Sequence, residues 1–286
     1  MPIDPSLAIG ATLSEQEFSW TASDVLLYHL ALGAGGPPTD RRELRYAYEK
    51  ELHVLPTFAV VAPTLGETEA PRVSYPGIEI DLARVLHGSQ QVVAHRPLPV
   101  SGKARATVRV ADVWDKGSAA VVVTATEVRD LDGAPLWTAT STIFARGEGG
   151  FGGERGPSTP NERPDREPDS VIYTATLPQQ ALWYRLLGDR NPLHSDPDFA
   201  RAAGFPAPIL HGLATYGIVA KALVDELLDG DVSRLRSFAA RFAGVVYPGE
   251  TLRTAAWREG ARFLVSTTVA DRENAPALSG ADLVLA

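Results

Sequence analysis

Apolar and polar positions alternate with a period near two through Ala106-Thr-Val-Arg-Val-Ala-Asp-Val-Trp114. Asp115-Lys-Gly117 then turns the chain, the apolar Ala119-Ala-Val-Val-Val-Thr-Ala125 returns, and Asp132-Gly133 turns into Leu136-Trp-Thr-Ala-Thr-Ser-Thr-Ile-Phe144. Short strand-like runs separated by Gly-containing turns predict an antiparallel meander from Ala104 to Arg146. A second meander is expected from Thr251 to Leu285, turning at Glu259-Gly260 and through a loop holding Asn274 and Pro276. Between them the period changes. Gly212 to Leu228 is apolar almost all round through Val224, which predicts an enclosed helix. Two meanders imply two antiparallel sheets, and a buried helix next to a meander suggests a sheet wrapped round it, an α+β architecture. Leu55 to Ala62 is the expected counterpart of that helix in the first half.

The segment Gly147-Glu-Gly-Gly-Phe-Gly-Gly-Glu-Arg-Gly-Pro157 breaks the pattern, and the chain stays rich in proline and acid to Asp169. This divides it into an N-terminal unit (1–146), a linker (147–169) and a C-terminal unit (170–286). Gly147, Gly149 and Gly152 have dinucleotide-fingerprint spacing. That motif needs a helix directly after it, and Arg155-Gly-Pro157 argues against one. Ser23 to Gly33 aligns without gaps on Pro178 to Gly188, placing Gly33 on Gly188 and Pro37 on Pro192. In that register Ala34 stands at the place of Asp189 and Thr39 at that of His194, so one site per chain is expected.

Composition narrows the function. With 286 residues and a net charge of −8, the chain can bury a large core and lacks the basic surface of a non-specific nucleic-acid binder. It has no cysteine, which excludes disulfides and thiolate chemistry. No apolar run is long enough to span a bilayer, and Met1-Pro-Ile-Asp-Pro5 does not resemble a signal peptide, so a cytoplasmic enzyme without membrane contact is expected.

Chemistry concentrates in Gly188-Asp-Arg-Asn-Pro-Leu-His-Ser-Asp-Pro197 and in Ile209-Leu-His-Gly-Leu213. Asp189, Asn191 and His194 fall in one turn-rich connection, and Asp196-Pro197 reads as the N-cap and first turn of a helix that Gly204 stops. Asp189 and Asn191 could be turn formers alone, and His211 a substitute cap. The alternative is an acid and an imidazole beside a helix N-terminus whose Gly212 N–H receives a developing oxyanion, as water addition next to a carbonyl requires. Asp196 and Asp198 suit helix capping better than metal ligation, so no metal is expected.

These two segments together resemble the (R)-specific 2-enoyl-CoA hydratases, also called hydratase 2 or MaoC-like dehydratases, in the two-repeat form found in actinobacteria. The resemblance implies a double hot-dog fold and reversible hydration of a trans-2-enoyl-CoA to the (R)-3-hydroxyacyl-CoA. It implies Asp189 and His194 as the acid/base pair, Asn191 as an orienting residue and Gly212 as the oxyanion donor. It implies no cofactor, since the CoA thioester is the substrate. Two repeats in one chain already supply the hot-dog pair, and a homodimer of such chains is expected. The catalytically degenerate first repeat would accommodate the acyl chain. Leu187 departs from the small residue usual before the Gly-Asp pair, which bears on pocket shape. A hot-dog thioesterase and a non-catalytic acyl-CoA-binding scaffold are the competing readings.

Overall fold

The computed structural model describes residues 3–69, 74–80, 85–157 and 163–286. The first half contributes five strands: β1 (Thr12–Trp20), β2 (Val85–Ala94), β3 (Gly102–Asp115), β4 (Ala119–Asp130) and β5 (Pro135–Arg146). The second contributes β6 (Ser170–Ala175), β7 (Leu235–Phe242), β8 (Thr251–Glu259), β9 (Arg262–Val269) and β10 (Ala275–Leu285). Both expected meanders are present. Their tight turns fall at glycines in the left-handed region, among them Gly117 (φ 82°), Gly133 (φ 88°) and Gly260 (φ 63°).

The strand order is β1-β3-β4-β5-β2-β7-β10-β9-β8-β6, with every neighbour antiparallel. The order of one half mirrors that of the other, as two repeats related by a two-fold axis would give. The halves meet where β2 pairs with β7, from Ser89 opposite Arg241 to Val93 opposite Ser237. What the sequence reads as two sheets is therefore hydrogen-bonded into one ten-stranded sheet, within the expected double hot-dog class.

Helices α1 (Pro5–Ala8), α2 (Ala22–Ala31) and α3 (Arg41–Ala47) belong to the first half, and α4 (Gln180–Tyr184), α5 (Pro197–Ala202) and α6 (Gly212–Leu227) to the second. The long helix α6 buries Ala214 to Ala220, Leu223 and Val224, so its enclosure follows the apolar pattern. The Tyr216 hydroxyl donates to the Phe238 carbonyl of β7 at 2.6 Å, satisfying a polar group the sheet would otherwise strand. Gly217 lets α2 close on α6, because a Cβ there would meet the Tyr28 hydroxyl and Leu32, each at 2.7 Å.

The expected counterpart at Leu55 to Ala62 is far shorter. It forms a 3-10 turn over Pro56–Val60 and a second over Ala62–Thr64. Pro63 has no N–H to carry a longer helical ladder across this point. Phe58 is nonetheless fully buried in the main core.

The aligned helices pack against each other: Gln180 Nε2 donates to the Ala31 carbonyl at 3.0 Å, and the rings of Tyr28 and Tyr184 lie 6.5 Å apart. Both end on left-handed glycines, Gly33 (φ 88°) and Gly188 (φ 110°). The glycine-rich stretch after β5 folds back on Asp115, whose carboxylate accepts from the N–H groups of Gly117, Gly150 and Gly152 at 2.7, 2.9 and 2.8 Å. Two amides in the loop that a pyrophosphate would need are thus already held by an anion, and among the described residues no helix follows before α4. Residues 158–162 of the expected linker, and 70–73 and 81–84 of the first half, lie outside the described residues.

Candidate active site

The chain leaves α4 through a single 3-10 turn, Arg185–Leu187, and reverses at Gly188. Two side chains then shape the connection. Asp189 Oδ1 accepts from the Asn191 N–H at 3.2 Å, and Asn191 Oδ1 accepts from the Leu193 N–H at 3.0 Å, capping a 3-10 turn over Pro192–His194. Asp189 and Asn191 are thus turn formers, and the turns they form carry His194 inward. The far end is pinned as expected: Asp196 caps α5, accepting from Asp198 and Phe199, and Gly204 (φ 87°) follows its C-terminus. Asp198 pairs with Arg201. Neither Asp196 nor Asp198 joins the site.

His194 is 9% exposed, and its Nδ1 lies 2.9 Å from the Ile209 carbonyl. A carbonyl can only accept, so Nδ1 carries the proton and, in the neutral ring, Nε2 presents its lone pair. Burial pulls the His194 pKa below its ordinary value, and the nearby Asp189 carboxylate offsets part of that fall. The imidazole is therefore neutral at neutral pH. Asp189 keeps partial exposure, as one edge of the site.

Ile209 and Leu210 bring in the second segment. The Ile209 N–H donates to the Leu193 carbonyl and the Leu210 N–H to the Val246 carbonyl, fixing the entry to α6. Gly212 is the first residue of α6, so its N–H has no carbonyl within the helix to bond and lies at the positive end of the helix dipole. A Cβ on Gly212 would lie 3.0 Å from Phe242 of β7, and the ring of Phe242 in turn lies 4.6 Å from His87 of β2. The floor beneath Gly212 is thus built where the two halves join. All four residues singled out in the sequence, Asp189, Asn191, His194 and Gly212, fall in these two mutually bonded segments.

One residue of the site goes unread in the sequence as more than a cap. His211 makes no capping bond, and its ring stacks on His194 with centroids 3.7 Å apart and planes 27° apart. One potential ligand atom each of Asp189, His194 and His211 all lie within 4.8 Å of one another. The signal available was its position: a histidine directly before a helix-opening glycine, where Ser, Thr, Asp or Asn would cap better. The trio has donors a divalent metal accepts. However, one nitrogen of each ring already faces a backbone carbonyl, and rings stacked this nearly parallel aim their lone pairs side by side more than at a shared point.

A carboxylate and a neutral imidazole thus lie in a loop bonded to the segment that opens an enclosed helix in a double hot-dog sheet, an arrangement suited to acid/base chemistry. The chain belongs to the MaoC-like, hydratase 2 family: residues 158–275 match the MaoC like domain and residues 18–147 the MFE-2 hydratase 2 N-terminal domain. Over 284 residues it is 55% identical to enoyl-CoA hydratase ChsH3 of Mycobacterium tuberculosis, covering 99% of each chain. It is 39% identical to the peroxisomal enoyl-CoA hydratase 2 of Arabidopsis thaliana, covering 96% of this chain and 93% of that one. Among solved structures, a MaoC-like dehydratase from Phytophthora capsici superposes with a TM-score of 0.90 at 29% identity, covering 99% of this chain and 98% of its own.

Proposed function

We propose that the protein is a hydro-lyase that adds water across the double bond of a trans-2-enoyl-CoA, giving the (R)-3-hydroxyacyl-CoA, and reverses the reaction. The observation that carries the reading is the convergence of Asp189, a neutral His194 with its Nε2 unprotonated, and His211 within 4.8 Å, with His211 leading directly into Gly212 at the start of α6. Water held between the carboxylate and Nε2 adds its oxygen to C3. The pair takes up the proton that water loses and delivers one to C2 on the same face. The Gly212 N–H receives the charge that gathers on the thioester oxygen as C3 is attacked. Which of Asp189 and His194 takes up the proton is left to the pair as a whole. Asn191 holds the loop that presents both groups.

The first repeat, with Ala34 and Thr39 at the positions of Asp189 and His194, takes the acyl chain. Phe58 and Val61, buried in the main core, set its limit. Val61→Phe should shift preference toward shorter enoyl-CoAs, and an unchanged chain-length profile would remove this part of the reading. No helix among the described residues is long and apolar enough to cross a membrane. We place the enzyme in the cytoplasm as a homodimer, with chain mass in solution as the check on the second point. The Arabidopsis relative is peroxisomal by name, so the compartment belongs to each relative separately.

The test follows loss of enoyl-thioester absorbance with crotonyl-CoA and a long-chain trans-2-enoyl-CoA, with chiral analysis of the product. Asp189→Asn and His194→Gln are measured alongside. Loss of an (R)-product in both variants supports the reading. Release of free CoA by the wild type would mean a thioesterase, and tight acyl-CoA binding without turnover would mean a scaffold.

A further inference from the structure

His211 stands at the N-cap of α6 yet caps nothing, and it is 1% exposed. Its ring stacks on His194, at 3.7 Å, and meets the tilted ring of Tyr184, at 5.0 Å and 45°. Its Nε2 lies 3.3 Å from the backbone carbonyl of Asp189, and its Nδ1 is buried without a hydrogen-bond partner. Burial first, then the neighbouring His194, push the His211 pKa well below its ordinary value, so the ring is neutral and carries one proton. A carbonyl facing Nε2 settles the tautomer: Nε2–H donates to Asp189, and Nδ1 is left with an unpaired lone pair.

Packing alone does not account for this choice of residue. An orphaned buried nitrogen costs stability, and an apolar side chain of the same size would fill the space without that cost. What only this ring does is touch three parts of the site together. Its edge holds the backbone of Asp189, its face sets the plane of His194, and its own peptide leads directly into the Gly212 N–H.

We infer that His211 is a positioning residue that locks the Asp189–His194 pair to the oxyanion-binding amide of Gly212 by a backbone hydrogen bond and a ring stack. The inference rests on the hydration reading above for its kinetic consequence, but not for its structural one. The titratable and charged groups facing the two rings are Asp189 from the loop and Tyr184 and Arg185 from the end of α4. Of these, the Asp189 carboxylate raises the His194 pKa, while burial lowers it by more. Removing the His211 ring opens one face of His194 to water, so its titration must move upward.

Three variants separate the two contacts. His211→Phe keeps a flat ring and loses the N–H. His211→Gln keeps an N–H donor of similar reach and loses the ring, and His211→Ala loses both. The readouts are kcat and KM with crotonyl-CoA, and the titration of the His194 imidazole by NMR on the same proteins. His211→Phe and His211→Gln are each expected to lower kcat about tenfold and His211→Ala about a hundredfold, with KM changing little, because misplaced reacting groups cost turnover more than binding. The His194 midpoint should rise toward its ordinary value in His211→Ala and His211→Gln and stay in place in His211→Phe.

A merely structural residue would lower the melting temperature while leaving kcat per folded site and the His194 midpoint unmoved. That result in His211→Ala overturns the inference. If the wild type itself does not hydrate enoyl-CoA, the hydration reading fails, and the NMR titration still decides whether His211 holds His194.

Discussion

The backbone carbonyl of Thr64, in the first half, fills the space where a side chain on Gly188 would begin. Gly188 also sits at φ 110°, a conformation that side chains disfavour. The Thr64 hydroxyl reaches the Leu187 carbonyl at 3.5 Å, and Arg190 Nε reaches the Glu67 carbonyl at 3.5 Å. Residues 64–67 therefore brace the loop that carries Asp189, so the first repeat supports the second's chemistry. Gly188→Ala must push the loop off this brace. Its kcat should fall about 10²-fold, the scale on which an ångström of misplacement acts. Steady-state kinetics with crotonyl-CoA on the folded variant would check this; a Gly188→Ala enzyme of near wild-type kcat would show that the brace does not set the site.

Gly212 is constrained from the sheet side as well. A Cβ at 3.0 and 3.1 Å from Cδ1 and Cε1 of Phe242 is tight enough to need the ring to give way. A methyl there would also crowd the helix-start N–H that the hydration reading assigns to the substrate carbonyl. Gly212→Ala is expected to lower kcat/KM about 10²-fold, the usual range for loss of one oxyanion donor. Adding Phe242→Leu separates the two effects. The double variant should regain the melting temperature lost to crowding and none of the activity. Recovery of activity would place the fault in packing, not in access to the amide.

Much of this was legible in the sequence because it is local. Apolar period, turn glycines and the Asp196-Pro197 start are written within a few residues, and both meanders, α5 and α6 follow from them. β1 was not legible: Thr12 to Trp20 is mostly polar and buries only Trp20 fully, since it is an edge strand with one lightly covered face. β7 was obscured by Arg236 and Arg241, which interrupt its apolar run, the first exposed and the second half-buried. The β2–β7 pairing that fuses the halves joins residues far apart in the chain, which no local period encodes. Asp189, Asn191, His194 and Gly212 could be singled out by type and spacing. His211 could not be placed, because its role depends on a ring stack across the loop and not on its neighbours in sequence.

The pH dependence of turnover carries the sign of the His194 shift. Its pKa lies below the ordinary value of 6.5, so the neutral ring persists through neutral pH and is lost only on acidification. The acid limb of kcat/KM should therefore fall below pH 6.5, with a flat region above it. An acid limb centred above pH 6.5 would contradict a desolvated, neutral His194.

His29 makes the fold itself acid-sensitive. It is fully buried in α2, with Nδ1 2.9 Å from the Tyr46 carbonyl and Nε2 accepting from the Leu55 N–H at 3.2 Å. Both nitrogens are thus committed, one as donor and one as acceptor, and protonation would break the bond to Leu55. Burial drives its pKa down to about 3. A depressed histidine pKa means that the unfolded chain binds the extra proton between about 3 and 6.5 and the native chain does not. Stability contributed by neutral His29 is complete above pH 6.5 and is withdrawn as pH falls toward 3, at ~1.4 kcal/mol per pH unit. His87, pulled to about 4 by burial, adds to the same slope. His29→Gln removes one titrating proton while retaining groups able to bond Tyr46 and Leu55. At pH 7 it should be less stable by about 1–3 kcal/mol. Between pH 6 and pH 4 its urea midpoint should fall less steeply than that of the wild type. Parallel slopes for the two proteins would mean that His29 does not carry the acid sensitivity.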